Sequence, residues 1–196
     1  MPDDSGIYKG FRTIKAKSSA DWRQWLAENH KSQRGVWLII YHKASNIQSV
    51  SYDESVDQAL CFGWVDSKPN KRNQHSYYQY FSRRKPSSNW SRVNKEKVQK
   101  LLSENLMSEA GLKMVELAKE TGTWDALNDV ENLVIPDDML KSFQEYVHAL
   151  PNWDKFPRSV KRGILEWIFN AKRPETRRER IRKAVSLAEK NERALF

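Results

Sequence analysis

The run Val36-Trp37-Leu38-Ile39-Ile40-Tyr41 is the strongest constraint in this sequence. It is rich in β-branched and aromatic residues, too short for an ordinary helix, and has no polar alternation. Such a run predicts a strand buried on both faces, central in a sheet. The chain around it must supply neighbouring strands and a cover. Phe11 to Ala16 alternates apolar and polar residues and predicts a short strand. Ser18 or Ser19 then caps a helix through SADWRQWLAENH, in which Trp22, Trp25 and Leu26 fall at i, i+3 and i+4 on one buried stripe. Gly35 separates this helix from the apolar run, and Ala44 to Ser49 forms a polar connection after it.

The stretch from Ser51 to Asn94 brings apolar core, aromatic residues and positive charge together. Ser51 and Glu54 form a capping box, in which each side chain satisfies a backbone N–H of the other's segment. Val56, Ala59 and Leu60 give the helix an apolar face, and Gly63 is a natural C′ residue. Trp64-Val65-Asp66 predicts a strand, SKPNKRNQ holds turn residues, and HSYYQYF returns as a second, aromatic strand. Side chains alternate along a strand, so Tyr78 and Tyr80 share one face while Tyr77, Gln79 and Phe81 share the other.

Beyond Pro86 the pattern is helical. Val98, Leu101 and Leu102 mark one helix. Ser108 caps another with Met114, Val115, Leu117 and Ala118 inward and Gly122 at its end. Pro136-Asp137-Asp138 opens a further helix, with acidic residues where the dipole favours them and Leu140, Phe143 and Val147 as its core face, and Pro151 just after it. Val160, Ile164, Leu165 and Ile168, then Ile181, Ala184, Val185 and Ala188, mark the tail. The expected fold class is α+β: a small N-terminal α/β body with a hairpin-containing sheet over residues 1–125, a linker over about 126–135, and a helical C-terminal module over 136–196.

Composition narrows the function classes. The 39% hydrophobic and 30% charged residues fit a globular chain, and no apolar run approaches the ~18–20 residues that span a bilayer. The opening MPDDSGIYKGF has no apolar signal region, so cytoplasm is the expected location. The one cysteine, Cys61, sits in ALCFGW as a small hydrophobe, and His30, His42, His75 and His148 lack metal-ligand spacing. A net charge of +9 admits nucleic acid or a membrane surface as partner, and equally a coat of solvated Lys and Arg.

FGWVDS, SRRKPSSNWSRVN, LMSEAGLKMVELAKETGTWD and AKRPETRRERIRKAVSLAEK occur in this order from about Tyr52 to Glu192. Together they resemble the YdeI/OmpD-associated, or bacteriocin-protection, family. Two positions depart from the family pattern: Tyr80 stands where an Arg often precedes the hairpin Phe, and Arg83 where a Pro often precedes the Arg matching Arg84. The resemblance implies a cytoplasmic bacterial protein tied to tolerance of peptide stress. It names a phenotype rather than a mechanism.

Two constellations can carry function. The first gathers Asp66, Lys71, Arg72, Tyr78, Tyr80, Arg83, Arg84, Trp90 and Asn94. An exposed Tyr78/Tyr80 face beside Arg83 and Arg84 offers stacking platforms between cations, as single-stranded nucleic acid or an aromatic anion requires. The bland alternative packs these tyrosines under the helical module, with Trp90 as a core anchor and Arg84 paired to Asp66. The second is the tail, where Pro174 ends one helix and Thr176-Arg177-Arg178-Glu179 starts another with a capping box. Lys172, Arg173, Arg177, Arg178 and Arg180 then surround free backbone N–H groups as an anion site. Its alternatives are pairing with Glu166, Glu175 or Asp137-Asp138, or a single helix kinked at Pro174.

There is no GxSxG, no glycine-rich phosphate loop and no metal-ligand cluster, so no cofactor is expected. An enzyme requires distant residues such as Asp66, His75 and Tyr80 to converge. The expected function is therefore non-enzymatic binding of an anionic partner in a groove between hairpin and tail helix. A small-molecule enzyme with a pocket there and a protein-interaction module are the alternatives.

Overall fold

A computed structural model describes residues 6–195. The first five residues, part of the opening read as free of a signal, lie outside them. The chain divides after Trp124 into two compact units.

Among the described residues of the first unit, six strands form one sheet: β1 (Ile7–Tyr8), β2 (Phe11–Lys15), β3 (Gly35–Tyr41), β4 (Trp64–Asp66), β5 (Asn70–Lys71) and β6 (Ser76–Arg83). Their order is β1-β2-β3-β6-β4, with β5 also on β6. The apolar run is central, as its sequence requires: β3 pairs in parallel with β2 and antiparallel with β6 along its whole length, from Gly35↔Ser82 to Tyr41↔Ser76. Helix α1 (Ser19–Asn29) makes the parallel crossover, capped by Ser18 with Asp21 closing the box. Helix α2 (Tyr52–Cys61) begins with the Ser51/Glu54 box and ends before Gly63, whose φ of +70° suits glycine at C′.

Pleat alternation divides β3 between two faces. Val36, Leu38 and Ile40 join Trp22, Leu26, Val56, Leu60 and Phe81 in the core beneath the helices, while Trp37 and Ile39 point the other way. Helices α3 (Arg92–Ser103) and α4 (Glu109–Glu120) extend this core with Val98, Leu101, Val115 and Ala118. Cys61 is fully buried in it, and that burial pushes its thiol pKa up.

The second unit contains α5 (Asn128–Glu131), α6 (Asp137–Phe143), α7 (Ala149–Lys155), α8 (Arg158–Phe169) and α9 (Pro174–Glu189). Val160, Ile164, Leu165 and Ile168 on α8 and Ile181, Ala184, Val185 and Ala188 on α9 are all buried. The α6 face differs from expectation. The helix stops at Phe143, its buried pair is Met139 and Phe143, and Leu140 and Val147 are 40% and 79% exposed. Pro151, expected after that helix, instead sits in the first turn of α7, where a missing N–H costs little. The tail is two helices rather than one kinked helix. Pro174 occupies the first position of α9, so Arg173 is the cap residue, without a side-chain bond, and Thr176 caps nothing. Among the described residues no helix is long and apolar enough to cross a membrane.

Candidate functional site

The candidate site follows from where the helices stop covering the sheet. Tyr77, Gln79 and Phe81 lie on the helix-covered face of β6. Phe81 packs on Trp22 at 5.3 Å and is fully buried. The first residue of α2, Tyr52, donates its hydroxyl to Asp66 Oδ2 at 2.7 Å. Past this point the sheet continues over Gln79 and Tyr77 as the floor of an open cleft of about 750 Å³.

Local bonding holds the cleft walls. The Gln79 amide donates to the Ser67 carbonyl. Asn70 and Lys71 pair as a short strand with Tyr78 and Tyr77. Asn73 Oδ1 accepts from the backbone N–H groups of His75 at 2.8 Å and Ser76 at 2.9 Å, and from the Ser76 hydroxyl at 3.0 Å. Arg72 Nη1 donates to that hydroxyl at 3.1 Å. The His42 ring lies 5.5 Å from the Tyr77 ring. Burial, and then the bonded Asp66 carboxylate, push the Tyr52 pKa upward, and burial does the same for Tyr77. Both phenols are therefore protonated at neutral pH. The lining thus offers two aromatic rings, amides from Asn70, Asn73, Gln74 and Gln79, and the basic side chains of Lys71 and His42. No Asp or Glu is among its described lining residues.

Tyr78 and Tyr80 occupy the opposite face and do not form an open stacking row. Tyr8 of the N-terminal strand stacks on Tyr78 at 4.2 Å, while Phe11 and Trp37 hold Tyr80 at 5.1 Å and 4.8 Å. The cation over Tyr78 is Arg72, with its guanidinium 5.9 Å from the ring, rather than Arg83 or Arg84. Asp66, His75 and Tyr80 do not converge. Asp66 is opposite Phe81 in the ladder, so its side chain projects to the face that Tyr80 leaves. His75 makes its side-chain contact with Gln74.

At the far end of β6, Trp90 is the core anchor expected of it, and Asn94 sits half-buried in the first turn of α3 with its N–H on Ser91 Oγ. The expected Arg84–Asp66 pair is not formed, because Tyr52 holds the carboxylate and Arg84 turns over the Trp90 ring. Arg83 is exposed beside it.

In the second unit Arg177, Arg178 and Arg180 are engaged by protein groups. Arg177 grips Asp138 with Nε at 2.6 Å and Nη2 at 2.9 Å. Arg178 pairs with Glu175 at 3.4 Å, and Arg180 donates to the Trp167 carbonyl and lies over that ring. Arg177 thus takes the alternative pairing, with the acidic start of α6. Lys172 and Arg173 are exposed ahead of α9. Among the described residues no cluster of His, Cys, Asp and Glu could hold a metal.

Residues 14–114 match the family model described as a domain of unknown function, DUF8412. Residues 132–191 match the model described as Bacteriocin-protection, YdeI or OmpD-Associated, the family of the sequence resemblance; of the four motifs only AKRPETRRERIRKAVSLAEK lies within this match. No curated protein and no solved structure matches the chain.

Proposed function

The chain belongs to the DUF8412 family and carries a YdeI/OmpD-associated region, and we propose that it is a non-enzymatic, cytoplasmic stress-tolerance protein that binds an anionic organic ligand. The observation that carries this reading is the cleft on the uncovered end of the sheet. A large concave site with aromatic walls and a few placed polar groups is the arrangement that small organic ligands use. Tyr52 and Tyr77 present rings, Lys71 an ammonium group and His42 an imidazole, and no described lining residue is a carboxylate. The ligand this fits is a ring-bearing carboxylate or phosphate, stacked on tyrosine and held at its charged end by Lys71. Tyr52 and Tyr77 keep their protons at neutral pH and serve as hydrogen-bond donors, which suits binding more than proton abstraction.

A thermal-shift screen of aromatic and aliphatic organic anions tests this, because a ligand that binds the native state raises apparent stability by mass action. The expected result is stabilisation by ring-bearing anions that Tyr77→Ala and Lys71→Ala each abolish. Stabilisation unchanged in both variants places the ligand elsewhere. Turnover of a stabilising compound favours the enzyme reading.

A further inference from the structure

Arg84 is 5% exposed, and its Nε and Nη2 are buried with no acceptor within hydrogen-bonding distance in the protein. Only Nη1 is bonded, donating to the Asn89 carbonyl at 3.0 Å. Nε–H and Nη2–H form the side-on fork of a guanidinium, the edge that takes two oxygens of one oxyanion. The same edge is filled elsewhere in this chain. Arg177 gives Nε and Nη2 to the two oxygens of Asp138, and Arg162 gives both to Oε1 of Glu131 at 3.1 Å and 2.8 Å. Arg84 is more buried than either, and burying a charge with unmet donors is costly.

Arg84 forms part of the wall of a pocket of about 250 Å³ just past the end of β6, whose earlier residues Ser76, Tyr77 and Gln79 line the cleft. His30, Lys31 and Arg83 line the same pocket, and no described lining residue is acidic. The neighbouring carboxylates have protein partners: Asp66 accepts from Tyr52 at 2.7 Å, and Glu109, beside the lining Ala110, pairs with Lys113 at 2.6 Å and also feels the charge of Lys31. Burial lowers the Arg84 pKa to about 10, with the charge of Asp66 opposing the shift, so the group remains a cation at neutral pH.

We infer that this pocket is a second binding site, for a small oxyanion such as a carboxylate or phosphate, received by the Nε/Nη2 edge of Arg84 and attracted by Lys31 and Arg83. The site is distinct from the cleft of the proposed function and stands whether or not that cleft binds a ligand.

The test is a titration of the full-length protein with inorganic phosphate and, separately, acetate at constant ionic strength, read at the Arg84 Nε–Hε NMR resonance. A saturable shift of that resonance is expected with one or both anions, and the stronger one distinguishes tetrahedral phosphate from planar carboxylate. The exposed double variant Lys31→Ala/Arg83→Ala leaves Arg84 in place and weakens binding about tenfold or more. Tyr77→Ala, in the cleft, leaves it unchanged. An Arg84 resonance that ignores both anions overturns the inference. So does one that shifts identically in the double variant.

Discussion

The Tyr52 hydroxyl donates to Asp66 across 2.7 Å, joining the first residue of α2 to the last residue of β4 at the rim of the cleft. The bond fixes the ring as one wall and occupies the carboxylate that Arg84 lacks. Tyr52→Phe keeps the ring and removes the bond. Because the pair is partly solvated, the expected stability loss is about 1 kcal/mol or less by urea unfolding. Binding of a ring-bearing anion in the cleft should persist, since the stacking surface remains. A complete loss of binding would instead assign the hydroxyl a direct role on the ligand.

Gly111 marks the closest approach of α4 to the end of α2. A Cβ there would lie 2.3 Å from the Cys61 carbonyl oxygen and 2.9 Å from that of Leu60, both backbone atoms that no rotamer change can move. Ser108 ties the same carbonyl down, donating its hydroxyl to Cys61 O at 2.6 Å. Gly111→Ala should therefore destabilise the protein by about 1–3 kcal/mol despite the gain in helix propensity. An unchanged or raised urea midpoint would contradict this packing.

Asp138 and Arg177 give the second unit an acid-sensitive contact. The hydrogen bond from Arg177 holds the Asp138 carboxyl below its ordinary value. With the folded pKa depressed, the stabilisation is present above the unfolded value, near 3.9, and is lost as pH falls through the folded one. Asp138→Asn should thus lower the melting temperature at neutral pH and converge with the wild type as pH falls below the depressed folded pKa of Asp138. Parallel melting curves across that range would contradict the assignment.

Much of the fold was legible because local signals agreed with packing. The Ser51/Glu54 box, the Gly63 stop and the Val36–Tyr41 run each have one physical solution. Elements with weaker periodicity were not. In α6 the choice between Leu140 and Met139 as the buried position depended on where the short helix ended, and Phe143 ends it before Val147 can face inward. The site was less legible than the fold. Alternation separated Tyr78 and Tyr80 from Tyr77 and Gln79 correctly, yet nothing in the strand tells where along the second face the helices stop covering it. His42, Tyr52, His30 and Lys31 lie far from the hairpin in sequence and join these sites only through tertiary packing. Arg84 was singled out by its basic and aromatic neighbours, but its partner was misassigned because Tyr52 competes for Asp66. The cap at Thr176 failed because proline is already favourable at the first helical position.

The most direct test of the central claim is an amide NMR titration of the full-length protein with the best-stabilising ring-bearing anion. The side-chain NH₂ signals of Asn70, Gln74 and Gln79 report on the cleft itself. The account predicts saturable shifts of these signals, with the same midpoint as the thermal stabilisation, and their loss in Tyr77→Ala. Saturable binding that leaves all three signals in place would contradict a ligand site in this cleft.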